Sequence, residues 1–233
     1  MEPLINELRI PFPEVELGRI FFSKQNIWLE EQHGFLPSDT HFAEGGCSDE
    51  INESEYLLLE NYWRERFKFG GLAGYCHGGK TGLIAVSHHV PTITEKQNLI
   101  LVAGPHIGYH RGQWGKVPRV GQADVSNACG SLCAVLQTGY EAINRKEADP
   151  LDRQQQVIES LMLPYLKSCA DENNSSEILD ATRFLLKRVD DDLTAMVKDL
   201  KDHFDGKIAL VTGITINTES DNYFSPSIVE IFD

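Results

Sequence analysis

Short apolar runs bounded by glycine and proline mark the strands of this chain. Residues 99–103 form a continuous apolar run without helical periodicity, and the pair Gly104-Pro105 closes it. A run of this kind predicts a strand that is buried on both faces. Residues 207–216 predict a second strand, and residues 227–232 predict a third. His106 therefore lies just beyond the end of a core strand.

Helical patterns separate these runs. Residues 154–166 and 178–204 carry apolar residues at three- and four-residue spacing, which predicts two amphipathic helices. Ser126 or Asn127 is a suitable N-cap for another helix, with Cys129 in its first turn. Because a helix N-terminus stabilises a thiolate, we expect a low pKa for Cys129. Strands that alternate with helices predict an α/β fold, whose sites lie beyond the carboxyl ends of the strands.

A glycine-rich segment contains a phosphate-loop pattern. Gly74, Gly79, Lys80 and Thr81 match GxxxxGKT letter for letter. A functional phosphate loop follows a strand and opens a helix at its lysine and threonine. Residues 82–91 contain β-branched residues, a glycine and a proline, which predict a strand instead. We therefore expect a glycine loop that passes close under the sheet, and no nucleotide site.

Length and charge limit the classes of function. The chain has 233 residues, enough for one domain with a sizeable core, and no linker divides residues 1–233. With 21 Lys and Arg against 35 Asp and Glu, its formal net charge is −14, which disfavours nucleic acid as a partner. No apolar run approaches the roughly 20 residues of a membrane helix, and the N-terminus has no features of a targeting peptide. Five cysteines, an odd number, are not typical of a disulfide framework, so we expect a reducing, cytoplasmic location.

Three residues share one feature, since each lies at the boundary of a predicted element: Cys47, His106 and Cys129. Cys47 precedes residues 53–67, which are helical in composition. The spacings between the three are wide, unlike the paired cysteines of a zinc finger. Three protein ligands leave the fourth tetrahedral position of zinc open, as in catalytic zinc sites. In the alternative interpretation, Cys47 is only a buried cysteine beside Asp49, which caps a helix.

A thiol-based redox function is a further alternative from another class. Cys129 and Cys133 lie one helical turn apart, on the same face of the predicted helix. Their CxxxC spacing differs from the CxxC of thioredoxin-like centres. We therefore rank a redox function below a metal site.

Six short segments are the most distinctive part of the sequence. They are 47–52 (CSDEIN), 70–74 (GGLAG), 79–82 (GKTG), 88–91 (HHVP), 104–108 (GPHIG) and 128–130 (ACG). In this order, and over about residues 42–140, the chain resembles the limiting-carbon-dioxide-inducible (LCIB-type) proteins, which form the theta class of carbonic anhydrases.

The resemblance implies a β-carbonic-anhydrase-like α/β fold, with a central, mostly parallel sheet flanked by helices, in a protein that is usually a homodimer. Residues 42–140 would be its core, and residues 151–233 would add C-terminal helices and strands. The family's zinc ligands match Cys47, His106 and Cys129. The implied function is a zinc-dependent carbonic anhydrase, in which zinc-bound hydroxide attacks carbon dioxide and bicarbonate leaves. The alternative is a catalytically inactive zinc-binding homologue that acts in inorganic-carbon handling or regulation.

Asp49 matches the carboxylate that, in β-type enzymes, either orients the zinc hydroxide or closes the site as a ligand. Those enzymes pair this carboxylate with an arginine a couple of residues later, where this chain has Ile51. Another arginine would have to hold Asp49 away from the zinc. The candidates are Arg64, Arg111 and Arg119.

Several histidines are candidates for passing a proton to buffer, because histidine titrates near neutral pH. We name His88 and His89 as catalytic candidates, with His110 as a further one. In the alternative interpretation, each of these histidines is a polar residue that satisfies a loop carbonyl. Apolar residues near Val86 and Val102 are expected to line a pocket for carbon dioxide.

Overall fold

A mixed β-sheet with helices on both faces forms the framework of the protein. The computed structural model describes residues 2–92, 97–172 and 174–233. Within these ranges the strands are β1 Glu16–Leu17, β2 Thr40–Gly46, β3 Arg66–Lys68, β4 Asn98–Gly104, β5 His106–His110, β6 Gln113–Trp114, β7 Lys116–Val117, β8 Ser126–Asn127, β9 Ile208–Asn217 and β10 Asn222–Phe232. The helices are α1 Glu2–Arg9, α2 Gly18–His33, α3 Glu53–Trp63, α4 Gly79–Ser87, α5 Gly130–Asn144, α6 Arg153–Asp171 and α7 Ile178–Leu200. None of these helices has both the length and the apolar character needed to cross a membrane.

The centre of the sheet is parallel, as predicted. The strand order is β1-β10-β9-β4-β2-β3, and β3, β2, β4 and β9 all run in the same direction. Leu101 of β4 lies between Ala43 of β2 and Leu210 of β9. β10 and β1 run antiparallel at one edge. β5 continues beyond β4 and pairs with the last residues of β9. The carboxyl ends of β2 and β4 therefore meet at the same end of the sheet.

Both faces of β4 are buried, which confirms the interpretation of its apolar run. Ile100 and Val102 face the aromatic cluster under α2 and α3. Leu99, Leu101 and Ala103 face the opposite cluster, under α4 and α7. Full burial of a Val, Leu or Ile side chain contributes about 1.5–3 kcal/mol. The strand whose end carries the site is thus anchored from both sides.

The structure corrects the prediction for residues 82–91. They do not form a strand, because α4 covers Gly79–Ser87. Leu83 and Val86 are fully buried one helical turn apart, in the cluster that α7 also contributes to. Burial of the Leu83 and Val86 side chains stabilises the helix by more than the poor helix propensities of glycine and valine destabilise it. Tertiary packing therefore decides the element where local composition is misleading.

Two helices end earlier than predicted. The helix expected over residues 53–67 ends at Trp63, because the residues that follow join the edge of the sheet as β3. The helix expected over residues 178–204 ends at Leu200, where a 3-10 turn leads towards β9.

The phosphate-loop pattern lacks the strand that such a loop requires, although a helix does open at Gly79. The residues before it form the 3-10 helix Leu72–Gly74. A Cβ on Gly74 would lie only 1.9 Å from the carbonyl oxygen of Gly104, so this glycine lets the loop pass under the end of β4. The Lys80 ammonium pairs with the Asp199 carboxylate. The glycines therefore serve close packing at the end of the sheet, as predicted.

Gly74→Ala should destabilise the protein more than Gly79→Ala, although both glycines have a positive φ, +70° and +54°. Alanine in a left-handed conformation costs roughly 1–2 kcal/mol at either position. The added Cβ at Gly79 meets no described atom within 4 Å, whereas at Gly74 it meets the Gly104 carbonyl. Overpacking of this kind adds about 1–3 kcal/mol. Urea denaturation measures both variants, and equal losses of stability would contradict the close approach at Gly74.

Candidate metal centre

Three side chains converge where β2 and β4 end. Cys47 directly follows β2, and His106 opens β5 just beyond β4. Cys129 is the N-cap of α5, which begins later than predicted because residues 126–127 pair with β7 as β8. The two Sγ atoms and a ring nitrogen of His106 all lie within 4.8 Å of one another, and all three residues are buried. The structure thus brings together the three predicted metal ligands.

The two cysteines share a hydrogen bond that separates their pKa values. The Cys129 thiol donates to Cys47, which lowers the pKa of Cys47 to about 4 although burial opposes this. The same contact, together with burial, raises the pKa of Cys129 well above its ordinary value. The pair therefore shares one thiolate, which this contact favours on Cys47, whereas we expected the low pKa on Cys129. A thiolate is the form of cysteine that binds a metal ion.

His106 is oriented by a hydrogen bond on one ring nitrogen and has the other nitrogen free. Nδ1 lies 2.7 Å from Oδ1 of Asn217, an acceptor, so Nδ1 carries the proton. Nε2 is buried and has no hydrogen-bond partner among the residues that the structure describes. Burial lowers the pKa of His106, but the adjacent Cys47 thiolate and Asn217 outweigh it and raise the pKa. A ligand histidine in a metal site has this same arrangement, one nitrogen fixed by a hydrogen bond and one lone pair available.

Asp49 lies beside the three ligands and is held by Arg119. Nη1 and Nη2 of Arg119 donate to Oδ1 and Oδ2 of Asp49, each at 2.7 Å. Oδ2 of Asp49 is 3.7 Å from Nε2 of His106. Burial raises the pKa of Asp49, but the hydrogen bonds and charge of Arg119 outweigh burial and lower it, so the carboxylate stays ionised. Asp49 also accepts a hydrogen bond from the Ile51 backbone at 3.4 Å, so it caps the 3-10 helix Glu50–Asn52 as well.

Arg119 is the one of the three candidate arginines that contacts Asp49. It follows β7 and comes 70 residues after Asp49 in the chain. Arg64 ends α3 and Arg111 lies in the turn between β5 and β6, and within the described ranges neither contacts Asp49. The arginine that holds Asp49 is therefore one that only the fold brings close to it.

Further hydrogen bonds fix the guanidinium of Arg119. Its Nε donates to Oγ of Ser126 at 2.7 Å, and its Nη2 donates to the carbonyl oxygen of Asn127 at 3.3 Å. Nη1 also pairs with the exposed carboxylate of Glu50. Burial lowers the pKa of Arg119 less than its two carboxylate partners raise it, so the guanidinium stays charged.

The structure does not bring His88 and His89 to the ligands. Both are exposed at the end of α4, and the His89 ring stacks on that of His41, with centroids 6.1 Å apart. His41 lies near the start of β2, whereas Cys47 follows its end. At about 3.3 Å per residue, roughly 20 Å of strand separates the two. His88 and His89 therefore lie far from the candidate metal ligands, at the other end of β2.

Two other histidines belong to segments that carry or contact a candidate ligand. His110 closes β5, with Nδ1 3.7 Å from the Glu219 carboxylate. His77, which sequence reasoning missed, belongs to the loop whose Gly71 pairs with Cys47. Burial lowers the pKa of His77 below its ordinary value, and its Nε2 contacts a loop carbonyl at 3.2 Å.

Apolar side chains surround the two ligand cysteines. Ala73 and Leu132 are fully buried in the same cluster as those cysteines. The residues predicted to line a pocket lie elsewhere, since Val86 points from α4 into the cluster beside α7 and Val102 packs on the opposite face of the sheet. The wall of the site therefore comes from the glycine loop and from α5.

The redox alternative finds no support in the position of Cys133. Cys133 is half-buried, and burial raises the pKa of its thiol. The Cys129 sulfur instead contacts Cys47 and is one of the three candidate ligand atoms that lie within 4.8 Å of one another. The sulfur atoms that lie together belong to the candidate metal ligands.

Comparisons with known proteins agree with this geometry. The family model for limiting CO2-inducible proteins B/C, beta carbonic anhydrases, matches residues 21–233. The crystal structure of PtLCIB4, a homologue of the limiting CO2-inducible protein LCIB, is similar over 98% of this chain and 95% of that chain, with 27% identity and a TM-score of 0.87. The structure of LCIB itself has the same fold, with a TM-score of 0.72 and 21% identity over 97% of each chain. A search of curated proteins finds no match. The chain therefore belongs to the limiting CO2-inducible protein B/C family of beta carbonic anhydrases.

Proposed function

We propose that the protein holds one zinc ion through Cys47, His106 and Cys129 and catalyses the reversible hydration of carbon dioxide to bicarbonate. One observation carries the proposal. The three ligands converge beside a carboxylate, Asp49, which Arg119 holds with two hydrogen bonds. Membership of a family named for beta carbonic anhydrases supports the same reaction.

The donor set suits zinc. Two thiolates and an imidazole are ordinary ligands of tetrahedral zinc, and they leave one position for water. Zinc bound there would lower the pKa of that water from its value in bulk solvent towards about 7. Cys47 is 5% exposed and Cys129 2% exposed, so bulk solvent is kept from the sulfur atoms. Two thiolates also balance the charge of a divalent cation in this buried place.

Asp49 orients the water molecule that reacts. Arg119 uses one lone pair on each carboxylate oxygen of Asp49, and the Ile51 backbone N–H uses the second lone pair of Oδ1. The second lone pair of Oδ2 can accept a further hydrogen bond. Because Oδ2 lies 3.7 Å from Nε2 of His106, this acceptor is on the ligand side of the carboxylate. A hydrogen bond to a charged group is worth about 1.5–3 kcal/mol. The two bonds from Arg119 therefore oppose a movement of Asp49 into the position that water needs.

Carbon dioxide is small and has no strong donor or acceptor, so it needs an apolar surface rather than polar contacts. Ala73 and Leu132 provide such a surface next to the ligand cysteines. A product with a negative charge is not retained by an apolar wall, which favours the release of bicarbonate.

Zinc-loaded protein should hydrate carbon dioxide well above the buffer rate in stopped-flow measurements over roughly pH 7–9, the range that brackets a zinc-activated water. A zinc chelator should remove the activity, and added zinc should restore it. Protein that carries zinc but shows no hydration anywhere in this range would replace the proposal with the alternative, an inactive zinc-binding homologue in carbon handling or regulation.

We further propose that the protein is a homodimer and that it acts in the cytoplasm. The first follows from the family resemblance. The second follows from the cysteine content, which suits a reducing compartment.

A further inference from the structure

We propose that Asn217 is a positioning residue that holds the His106 ligand and the segment that carries Asp49 in one arrangement. The inference rests on the proposed zinc site. Asn217 ends β9 and is 1% exposed. Among the residues that the structure describes, its Oδ1 is the hydrogen-bond partner of His106 Nδ1. It thus stands behind the ligand, on the side away from the cysteines.

The hydrogen bonds of Asn217 determine which way its amide group faces. Its Nδ2 has three acceptors, which are Oδ1 of Asn222 at 3.0 Å, Oδ1 of Asn52 at 3.1 Å and the Ile51 carbonyl at 3.4 Å. With the nitrogen on that side, Oδ1 must face His106. An oxygen facing Nδ1 selects the tautomer with its proton on Nδ1 and leaves the lone pair on Nε2.

The other acceptors connect Asn217 to the Asp49 segment. Nδ2 of Asn52 donates to the backbone carbonyl of Asp49 at 3.2 Å. The Asn222 amide donates to the Ile51 carbonyl at 2.8 Å and to Oε2 of Glu55 at 2.7 Å, which fixes the direction of its own Oδ1. Asn217 therefore links the metal ligand on β5 to the 3-10 turn that begins at Asp49.

Two substitutions at Asn217 separate positioning from simple packing. Asn217→Leu keeps the approximate volume but removes both the acceptor and the donor. Asn217→Asp keeps an acceptor for Nδ1 of His106 and loses the donor towards Asn52 and Asn222. Asn98→Leu is the matched control, because Asn98 is 2% exposed, bonds Asp39 and Lys207, and opens β4 at the opposite end of the sheet.

The measurements are zinc affinity, by competition with a chromophoric chelator, and the thermal midpoint of each variant. We expect Asn217→Leu to bind zinc about 10–100-fold more weakly than wild type, as for other partners behind a ligand histidine. Asn217→Asp should lose thermal stability, because its carboxylate faces three acceptor oxygens, yet keep zinc affinity close to wild type. Asn98→Leu should lose stability and keep zinc affinity.

If Asn217 had a purely structural role, the two variants would show the reverse order of zinc affinity. The buried carboxylate of Asn217→Asp would then weaken zinc binding at least as much as leucine does. That order, or unchanged zinc affinity in Asn217→Leu, would overturn the inference while leaving the proposed function intact. Wild-type protein that binds no zinc would instead overturn the proposed function, and the inference with it.

Discussion

Cys129→Ala should abolish zinc binding, while Cys133→Ala, one helical turn later, should leave it intact. Cys129 supplies one of the three ligand atoms that lie within 4.8 Å of one another. Two remaining ligands cannot complete a stable tetrahedral site, so we expect zinc content to fall from about one per chain to less than about a tenth. Metal analysis after dialysis measures the content, and carbon dioxide hydration should fall with it.

The comparison with Cys133 tests the alternative that the loss of any thiol at the start of α5 lowers the zinc content. Cys129 caps α5 and Cys133 lies one helical turn later, partly buried, so both substitutions remove a thiol at the start of this helix. Cys76→Ala is a second control, because Cys76 is fully buried and burial raises the pKa of its thiol. Full zinc content in Cys129→Ala would refute the ligand set. Loss of zinc in all three variants would indicate unfolding instead, which circular dichroism would reveal.

The positions of two candidate ligands, Cys47 and His106, could be predicted from the sequence because each one follows an abrupt change in pattern. The apolar run 99–103 ends at Gly104-Pro105, and that ending fixes the position of His106 at the end of β4. Cys47 follows two glycines at the end of β2 in the same way. Parallel neighbouring strands bring such ends together. Local pattern was therefore sufficient for these positions.

Residues that act across the fold could not be predicted in this way. Arg119 reaches Asp49 only because β7 and β8 pair and carry the arginine to the site. The sequence allowed two other arginines, since nothing local distinguishes them. Asn217 gives a weak indication in the sequence, because it is a polar residue at the end of a long apolar strand. The structure shows that it is also buried. The contact with His106 and the hydrogen bonds to Asn52 and Asn222 satisfy its buried amide, and none of these partners is close to it in a local sequence pattern.

The error at α4 has a different cause. Residues 82–91 are rich in β-branched residues, and glycine and proline border them, so composition favoured a strand. Leu83 and Val86 nevertheless have the spacing of one helical turn, and both are buried under the sheet. His88 and His89 were named only because histidine titrates near neutral pH, and in the structure they lie at the end of α4, where His89 stacks on His41.

Arg119→Ala should keep zinc and lose most carbon dioxide hydration. Without its two hydrogen bonds, Asp49 is free to move onto the metal, where a carboxylate is an acceptable fourth ligand. Orienting and acid–base groups are typically worth a factor of about 10²–10⁴ in rate, and we expect a loss in this range. Arg111→Ala is the control, since Arg111 is an arginine in a nearby turn without a contact to Asp49 in the described structure. It should retain wild-type activity.

The double variant Asp49→Ala/Arg119→Ala distinguishes a role through Asp49 from a direct role of the guanidinium. Asp49→Ala alone should keep zinc, because three ligands remain, and should lose hydration by the same factor of about 10²–10⁴. If Arg119 acts only by holding Asp49, then removing Arg119 from Asp49→Ala changes nothing further, and the losses are not additive. The double variant should therefore have the activity of Asp49→Ala alone. Additive losses in stopped-flow rates would mean that Arg119 contacts the reacting groups itself, and loss of zinc from Arg119→Ala would mean that the pair supports the ligands rather than the water.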